Sequence, residues 1–399
     1  MVEYRPLPAD RREEAAAMLS YAFSPEEGRF EPEDEDDEWK RPARVGDRRG
    51  LFDGDELVSV CSHVWFDARL RDESISMAGL SAVATPPEHR RHGYVRTLLR
   101  ESLTEYRDRE VPIVALWPFK TPFYERFGWA TAFRTAVQVA EPTVFRLDGD
   151  ATGRFYSAEE DDWPALDHVL EHQFRRPDLA VSRTEEWWRN RVFHSWGEDP
   201  YVYVWERDDQ PAGYVVYTIE DADEGREFRV WDMVGVDEEA RVNLLRFVAD
   251  HDSQVERARL YGPIDSILLD EVENPADLEV TVDTGAMVRI VDVHAALEAV
   301  AYPDGVAGHV TLAVSDPLVE WNEATVEMEV ADGNAQVVET DGAPDLSLSI
   351  NALSALLVGY RTADELVTVG EMTVHGTDDA VAFLDDALPK RRAFIREWF

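Results

Sequence analysis

The sequence predicts a mixed α/β and α+β protein of three domains. The chain has 399 residues, about two to three times the length of an ordinary domain. Apolar residues make up 44% and aromatic residues 11% of it, which is enough material for several hydrophobic cores. Helical and strand periodicities alternate up to residue 284, and short alternating strands dominate afterwards. We therefore expect domains at 1–142, 143–284 and 285–399.

The first 142 residues predict alternating helices and strands. Asp10 and Glu13 have the spacing of a capping box at the start of an alanine-rich helix over 11–21. A hairpin turn at Asp53-Gly54 precedes an alternating strand over 58–66. The remaining predicted elements are strands at 75–84, 111–118 and 131–140, and an amphipathic helix at 94–109.

The rest of the chain divides at turn-forming residues near Asp148-Gly149-Asp150 and at Gly285. The middle domain is predicted to hold a helix at 158–174, a hairpin of strands 201–205 and 213–219, a strand at 228–236 and a helix at 239–252. The last domain is predicted to be α+β, with strands at 310–314, 325–330, 335–339 and 346–350 and helices at 352–357 and 377–387.

The charge of the chain is strongly negative. There are 82 acidic and 40 basic residues, for a net charge of −42, and the only lysines are Lys40, Lys120 and Lys390. Such a surface repels itself unless salt screens it, which is typical of a salt-in halophilic archaeon. An ordinary acidic enzyme is the alternative. In either case phosphate backbones are repelled, so nucleic acid is not an expected partner.

Several classes of protein are excluded or disfavoured. No apolar run is long enough to span a membrane, and the N-terminal residues do not resemble a signal peptide, so we expect a cytoplasmic protein without a membrane partner. The single cysteine, Cys61, excludes a disulfide framework and is expected in the core. No histidines show metal-ligand spacing with carboxylates, so no metal is expected. The acidic run 31–38 is either a solvated loop or a rim that attracts a cationic substrate.

One basic segment interrupts this acidic chain. The twelve residues 89–100 contain four arginines and two histidines and no acidic residue. They follow a predicted buried strand, and Gly93 allows a tight turn before a predicted helix. Free N–H groups at a helix N-terminus bind phosphate, and arginines add positive charge. The segment therefore predicts a site for an anion.

Two motifs give a family resemblance. The segment 83–95, with Arg90 and Gly93 in place, resembles the pyrophosphate-binding motif of the GNAT acetyltransferase superfamily, although Val95 replaces the usual small residue. Tyr124, followed by Arg-Phe-Gly-Trp at 126–129, resembles the closing segment of that superfamily. With the tandem layout and the terminal Phe, the chain is similar to the Eis (enhanced intracellular survival) branch. That resemblance implies a catalytic GNAT domain, a GNAT copy without cofactor, and a sterol carrier protein-like α+β domain.

The resemblance implies transfer of acetyl from acetyl-CoA to an amine through a tetrahedral intermediate. The acceptor would be an aminoglycoside, a polyamine or another lysine-like amine, either small or borne on a peptide. Tyr124 would be the general acid, or else only a core tyrosine. Lys120 is equally well explained as a surface lysine. The implied cofactor-binding residues are Val83, Ala84, Thr85, Arg91, His92, Gly93, Tyr94, Val95, Arg96, Phe119 and Lys120.

The resemblance also gives roles to the last residue and to the assembly. In this branch the C-terminal carboxylate is the general base and the protein is a homo-hexamer, so the carboxylate of Phe399 is the expected base here. The alternative is that Trp398 and Phe399 only seal an interface. The segment 237–241, Asp-Glu-Glu-Ala-Arg, stands where a second phosphate loop would be, and its acids would repel pyrophosphate. The alternative function is a non-catalytic CoA- or lipid-binding protein with a vestigial GNAT half.

Overall fold

Three β-sheets organise the chain in the computed structural model, which describes residues 2–28, 30, 41–149, 152–173, 176–223 and 225–399. The acidic run 31–38 lies outside the described residues, so neither interpretation of it is addressed. Elements of the first third are β1 (Val2–Pro6), α1 (Arg12–Phe23), β2 (Asp47–Asp53), β3 (Glu56–Leu70), β4 (Glu73–Ala84), α2 (Tyr94–Asp108), β5 (Ile113–Leu116), α3 (Thr121–Glu125), β6 (Ala130–Thr131) and β7 (Arg134–Ala140).

Two predictions for this third are corrected. The capping box is not formed, because Asp10 lies inside a 3-10 turn (Ala9–Arg11) that continues into α1, and no side chain caps that helix. The single strand predicted over 131–140 is two strands in different sheets. Ala132 and Phe133 leave the ladder between them and hydrogen-bond instead to Ala286 and Gly285. The predicted α2 and the hairpin at Asp53-Gly54 are confirmed.

The middle third contributes the strands and helices of a second sheet. The predicted hairpin of β10 and β11 is confirmed, whereas the predicted helix 158–174 is shorter and ends at Glu171. A π-helical turn, Trp188–Val192, continues α5. The elements are β8 (Arg154–Ser157), α4 (Trp163–Glu171), β9 (Val181–Ser182), α5 (Glu185–Trp187), β10 (Tyr201–Arg207), β11 (Gln210–Ala222), β12 (Gly225–Gly235), α6 (Glu238–Ala249), β13 (Arg257–Pro263) and β14 (Glu279–Thr284).

The last third has the short alternating strands that the sequence predicts. Asp332 and Gly333 both have positive φ in the tight turn between β17 and β18, as the Asp-Gly pair indicates. The elements are β15 (Met287–Ile290), α7 (Val293–Glu298), β16 (Gly308–Ser315), β17 (Ala324–Ala331), β18 (Asn334–Glu339), β19 (Leu346–Ser349), α8 (Ile350–Leu357), α9 (Ala363–Thr368), β20 (Met372–Val374) and α10 (Asp379–Ala387).

Neighbouring sheets exchange strands. The first sheet has the order β1-β2-β3-β4-β5-β15-β6, with β9 also pairing β3, and the second has the order β14-β7-β13-β12-β11-β10-β8. The third has the order β18-β17-β16-β19-β20. Strand β7 therefore pairs across the predicted boundary at 142, and β15 pairs across the one at 284. One continuous apolar core includes buried residues of all three sheets, so the sheets pack as one body.

Candidate active site

Strands β4 and β5 diverge and open a cleft in the first sheet. Their parallel pairing covers only Met77–Gly79 against Ile113–Ala115, although β4 continues to Ala84. The pairing of β4 with β3 also shifts register at this end, and Ala82 has a φ of +52°. The last residues of β4 thus present backbone groups to the cleft that no neighbouring strand uses.

The loop after β4 leads into the N-terminus of α2. Arg91 and Gly93 both have positive φ, at +66° and +84°. No side chain caps the helix, and its first hydrogen bond runs from Thr97 N to Gly93 O at 3.1 Å. The N–H groups of the preceding helical residues therefore point out of the helix end, and a Cβ at Gly93 would meet nothing within 4 Å. The site is open and suited to an anion.

Arginines of the predicted phosphate loop hold this end of the site. The Arg90 Nε donates to the Thr85 carbonyl at 3.1 Å, which ties the loop to the end of β4. The Arg96 guanidinium donates to the Pro317 carbonyl, so the third unit contacts the same helix start. The side chain of Arg91 is exposed. Open helix end, arginines and free strand edge together fit a nucleotide with a pyrophosphate and an extended arm.

A single cavity of about 2620 Å³ joins the cleft to the loop. Most of the residues that the sequence analysis assigned to the site line it, while His92 and Lys120 do not. The His92 ring packs on Tyr94 instead, and Lys120 is exposed just before α3. The lining includes Val83, Ala84, Thr85, Arg91, Gly93, Tyr94, Val95, Arg96, Phe119, Tyr124 and Phe399.

Tyr124, on α3, lies in the cavity wall among aromatic rings. Phe119, Phe123 and Trp129 surround it at ring-centroid distances of 5.7, 5.1 and 6.1 Å. Burial raises the pKa of Tyr124, and Cys61, which lies in the core as predicted, adds to that shift. The phenol therefore keeps its proton at neutral pH and is available as a donor.

The last residues of the chain enter the same cavity. The Phe399 ring lies on β4 at Gly79, where a Cβ would approach it to 2.8 Å, and packs 5.2 Å from the Phe66 ring. Trp398 stacks on Trp117 at 4.0 Å. The last residue thus sits where β4 and β5 begin to diverge.

A buried ion cluster anchors this C-terminal segment to the second sheet. Arg183 donates to Glu397 at 2.7 Å and to Asp232 at 2.8 Å, and Arg396 approaches Asp232 at 3.3 Å. Burial alone would raise the pKa of Asp232, but Arg183 and Arg396 hold it below its ordinary value. Trp117 Nε1 donates to the Glu397 carbonyl at 2.8 Å. The segment is therefore fixed from both sheets.

The second sheet has no comparable opening at its own helix start. The Asp237 carboxylate accepts from Ala240 N at 2.9 Å and so caps α6 with a negative charge. Arg207 pairs with Asp237 at 2.6 Å and with Glu239 at 2.5 Å. The position equivalent to the anion site is filled by the chain's own carboxylates.

Sequence analysis missed part of the cavity wall. Arg48, Ser62 and Ser81 form a polar floor, and Arg191 and Trp196 come from the second unit. A glycine inside a largely buried strand was a usable signal for the close approach of Phe399, since Gly79 lies between the buried residues Ala78 and Leu80. No motif marks Arg191 or Trp196.

The described parts of the chain contain neither a candidate metal cluster nor a candidate membrane-spanning helix. There, no three side chains of the His, Cys, Asp and Glu types are grouped so that they could hold a metal ion. No helix in those ranges is both long enough and apolar enough to cross a bilayer.

Comparison with family models matches each part of the chain separately. Residues 3–132 and 179–290 each match an acetyltransferase (GNAT) domain, and residues 293–396 match a sterol carrier protein domain. The fold is thus two tandem GNAT domains followed by a sterol carrier protein-like domain, as expected.

Curated relatives agree with these matches. N-acetyltransferase Eis of Mycobacterium tuberculosis is 24% identical over 340 residues, which is 82% of this chain and 81% of that protein. An uncharacterised N-acetyltransferase of Streptomyces avermitilis is 25% identical over 86% of this chain and 87% of its own.

Solved structures share the fold over the whole chain. A protein of unknown function and probable N-acyltransferase from Enterococcus faecalis superposes with a TM-score of 0.89 at 20% identity, covering 100% of both chains. Eis1 from Mycobacterium abscessus gives a TM-score of 0.78 at 24% identity, again over 100% of both chains.

Proposed function

We propose that the chain is an Eis-like N-acetyltransferase of the GNAT superfamily that transfers acetyl from acetyl-CoA directly to an amine, with Tyr124 as general acid and the carboxylate of Phe399 as general base. One observation carries this proposal. The arginine-rich helix start, Tyr124 and Phe399 all line the same cavity. The acceptors that the resemblance suggests are aminoglycosides, polyamines and other lysine-like amines.

The residues around the cleft would hold acetyl-CoA. Backbone groups of Val83 to Thr85 on the side of β4 that β5 leaves unpaired would bond to the pantetheine arm. Arg91, Arg96 and the N–H groups that follow Gly93 would hold the pyrophosphate. When bound, acetyl-CoA supplies the acetyl group as a reactive thioester. His92 and Lys120 lie outside the cavity lining, so any contact of theirs with the cofactor would be peripheral.

Proton transfer is assigned to two residues of the cavity lining, Tyr124 and Phe399. A lysine-like amine has a pKa near 10.4, so it must lose a proton before its nitrogen can attack. The carboxylate of Phe399 would accept that proton. As the new C–N bond forms and the C–S bond breaks, Tyr124 would give its proton to the departing sulfur, and its raised pKa keeps that proton in place until then.

The test extends the chain by one residue. Adding a glycine after Phe399 keeps every side chain but displaces the terminal carboxylate by about 3.5 Å. Acetyl transfer, followed by thiol release, should collapse while CoA still binds in calorimetric titration. Full activity of the extended protein would show that the carboxylate is not the base. If the parent protein does not bind CoA, the non-catalytic alternative is favoured instead.

The second GNAT domain is proposed to be a scaffold without cofactor. Its helix start carries Asp237, Glu238 and Glu239, and the first of these already caps the helix. A pyrophosphate would meet like charge at this position. Titration should therefore give one CoA site per chain.

Assembly and environment are proposed from the resemblance and the composition. We propose a cytoplasmic homo-hexamer in a salt-in organism, whose contacts need salt because each chain carries a net charge of −42. Light scattering in about 1 M and about 0.1 M KCl tests this, because charges interact over a roughly threefold shorter distance at the higher salt. The hexamer should be present at the higher salt and dissociate at the lower salt. A monomer at both concentrations would contradict it.

A further inference from the structure

Among the described residues, the cavity wall has more arginines than acidic groups, unlike the chain as a whole. Seven arginines line it there, against the side-chain carboxylates of Asp10 and Glu13 and the terminal carboxylate of Phe399, the proposed base. The chain as a whole has 82 acidic and 40 basic residues. The predicted pyrophosphate loop contributes only three of the seven arginines; the others are Arg12, Arg48, Arg126 and Arg191. The cofactor therefore accounts for only part of this positive wall.

The floor of the cavity beside Phe399 is polar and basic. Arg48 pairs with Ser62 across β2 and β3, and Ser62 pairs with Ser81 across β3 and β4. Paired residues point to the same face of a sheet, and all three line the cavity. Two residues further along β3, the next row includes Gly79, on which the Phe399 ring lies. This polar row is thus next to the proposed base.

Arg191 forms the facing wall. It belongs to the π-helical turn of the second domain, donates to the Trp398 carbonyl, and lies 3.5 Å from the Pro42 carbonyl. Its guanidinium also lies over Trp187 and Trp196, at 5.1 and 5.9 Å.

Arg191 also lacks a carboxylate partner. Within the described ranges, no carboxylate comes within ion-pair distance of it. Its neighbour Arg189, by contrast, pairs with Glu185 at 2.7 Å and Asp161 at 2.9 Å. Burial lowers the pKa of Arg191 to about 10, and no nearby acid offsets that shift. The Arg191 side chain is half-buried, and a ligand anion would supply the counter-charge that it lacks among the described residues.

We infer that the preferred acceptor is an amine on an aromatic or apolar body that also carries an anionic group, and that this group pairs with Arg191. The inference rests on the proposed acetyl transfer and names its substrate class. Trp117, Trp196 and Trp398 also line the cavity and give it apolar surface for the body of such a molecule. A polycation would place additional ammonium groups near Arg191, which like-charge repulsion disfavours.

The experiment compares amines that differ in charge but not in shape. Thiol release from acetyl-CoA is measured with 4-(aminomethyl)benzoate, its neutral isostere 4-(aminomethyl)benzamide, spermidine and kanamycin. A charge-assisted pair should give the benzoate a kcat/KM about tenfold or more above that of the benzamide. Arg191→Gln should lower kcat/KM much more for the benzoate than for the benzamide and so remove this preference. Arg189→Gln is the matched control, and it should retain the preference.

Three results would overturn the inference. The first is a kcat/KM for spermidine or kanamycin above that of the benzoate. The second is an equal kcat/KM for the benzoate and the benzamide, and the third is an equal loss of kcat/KM for these two amines in Arg191→Gln. The last would mean that Arg191 acts only by holding Trp398. If none of the amines is acetylated although CoA binds, the proposed function fails instead. Calorimetric titration of both isosteres into CoA-loaded protein then decides the inference: Arg191-dependent preference for the benzoate supports it, and no preference overturns it.

Discussion

Replacing Glu397 by glutamine removes one charge from the buried cluster that anchors the C-terminal segment. The side chains of Glu397 and Arg183 are 1% and 3% exposed, and their atoms are 2.7 Å apart. Removing one partner of a buried ion pair costs about 3–5 kcal/mol when the other is left alone. Arg183 keeps Asp232 at 2.8 Å, so we expect a smaller loss, about 2–3 kcal/mol of unfolding free energy.

Denaturant unfolding followed by circular dichroism measures that loss, and Glu185→Gln is the matched control. Glu185 pairs with Arg189 at the same 2.7 Å, but its side chain is 57% exposed, so its loss should cost less than about 1 kcal/mol. Because Glu397 directly precedes Trp398 and Phe399, turnover should also fall in Glu397→Gln while CoA affinity stays. Equal destabilisation by both variants, or wild-type stability of Glu397→Gln, would refute the assigned role of the cluster.

Three further predictions address the cofactor site, the acid and pH. The double variant Arg91→Glu, Arg96→Glu should lose about 1.5–3 kcal/mol of CoA binding free energy per arginine in calorimetry, and unchanged affinity would refute the phosphate site. Tyr124→Phe should lower kcat on the order of 10²–10⁴-fold with CoA binding intact, whereas wild-type turnover would leave the tyrosine a packing role. Burial lowers the pKa of His63 to about 4, below the unfolded value of 6.5. Between these values the unfolded chain binds a proton that the folded chain does not, so the contribution of neutral His63 to the unfolding free energy is present above pH 6.5 and lost as pH falls through 4. Relative to His63→Gln, the wild type should lose about 3 kcal/mol of stability across that window, and parallel pH profiles would contradict this.

Local patterns predicted most of the secondary structure because their causes are local. The start of α2 at Tyr94 follows from a glycine with φ of +84° before an amphipathic run. The hairpins at Asp53-Gly54 and Asp332-Gly333 follow from turn chemistry. The proposed cofactor site could be predicted from the sequence for the same reason, since one strand, one loop and one helix that follow each other in the chain contain its residues.

Long-range pairing is what the sequence could not supply. Nothing local distinguishes a strand that pairs within its own sheet from β7 or β15, which pair with strands of the neighbouring unit. Arg183 and Glu397 are 214 residues apart, and neither lies in a recognisable motif. The acceptor side of the cavity consists of such contacts, so its residues appeared only with the fold.

These long-range contacts explain what the second GNAT domain contributes although its own helix start is blocked. It supplies Arg191 and Trp196 to the cavity wall, and Arg183 and Asp232 to the cluster that holds the C-terminal segment. The first domain provides the proposed phosphate-binding loop and Tyr124, and the end of the third provides Phe399. Each domain therefore contributes residues to a single cavity. Substitutions of the cavity residues of the second domain should therefore change acceptor choice and turnover. They should not change CoA affinity, because the proposed CoA site lies in the first domain.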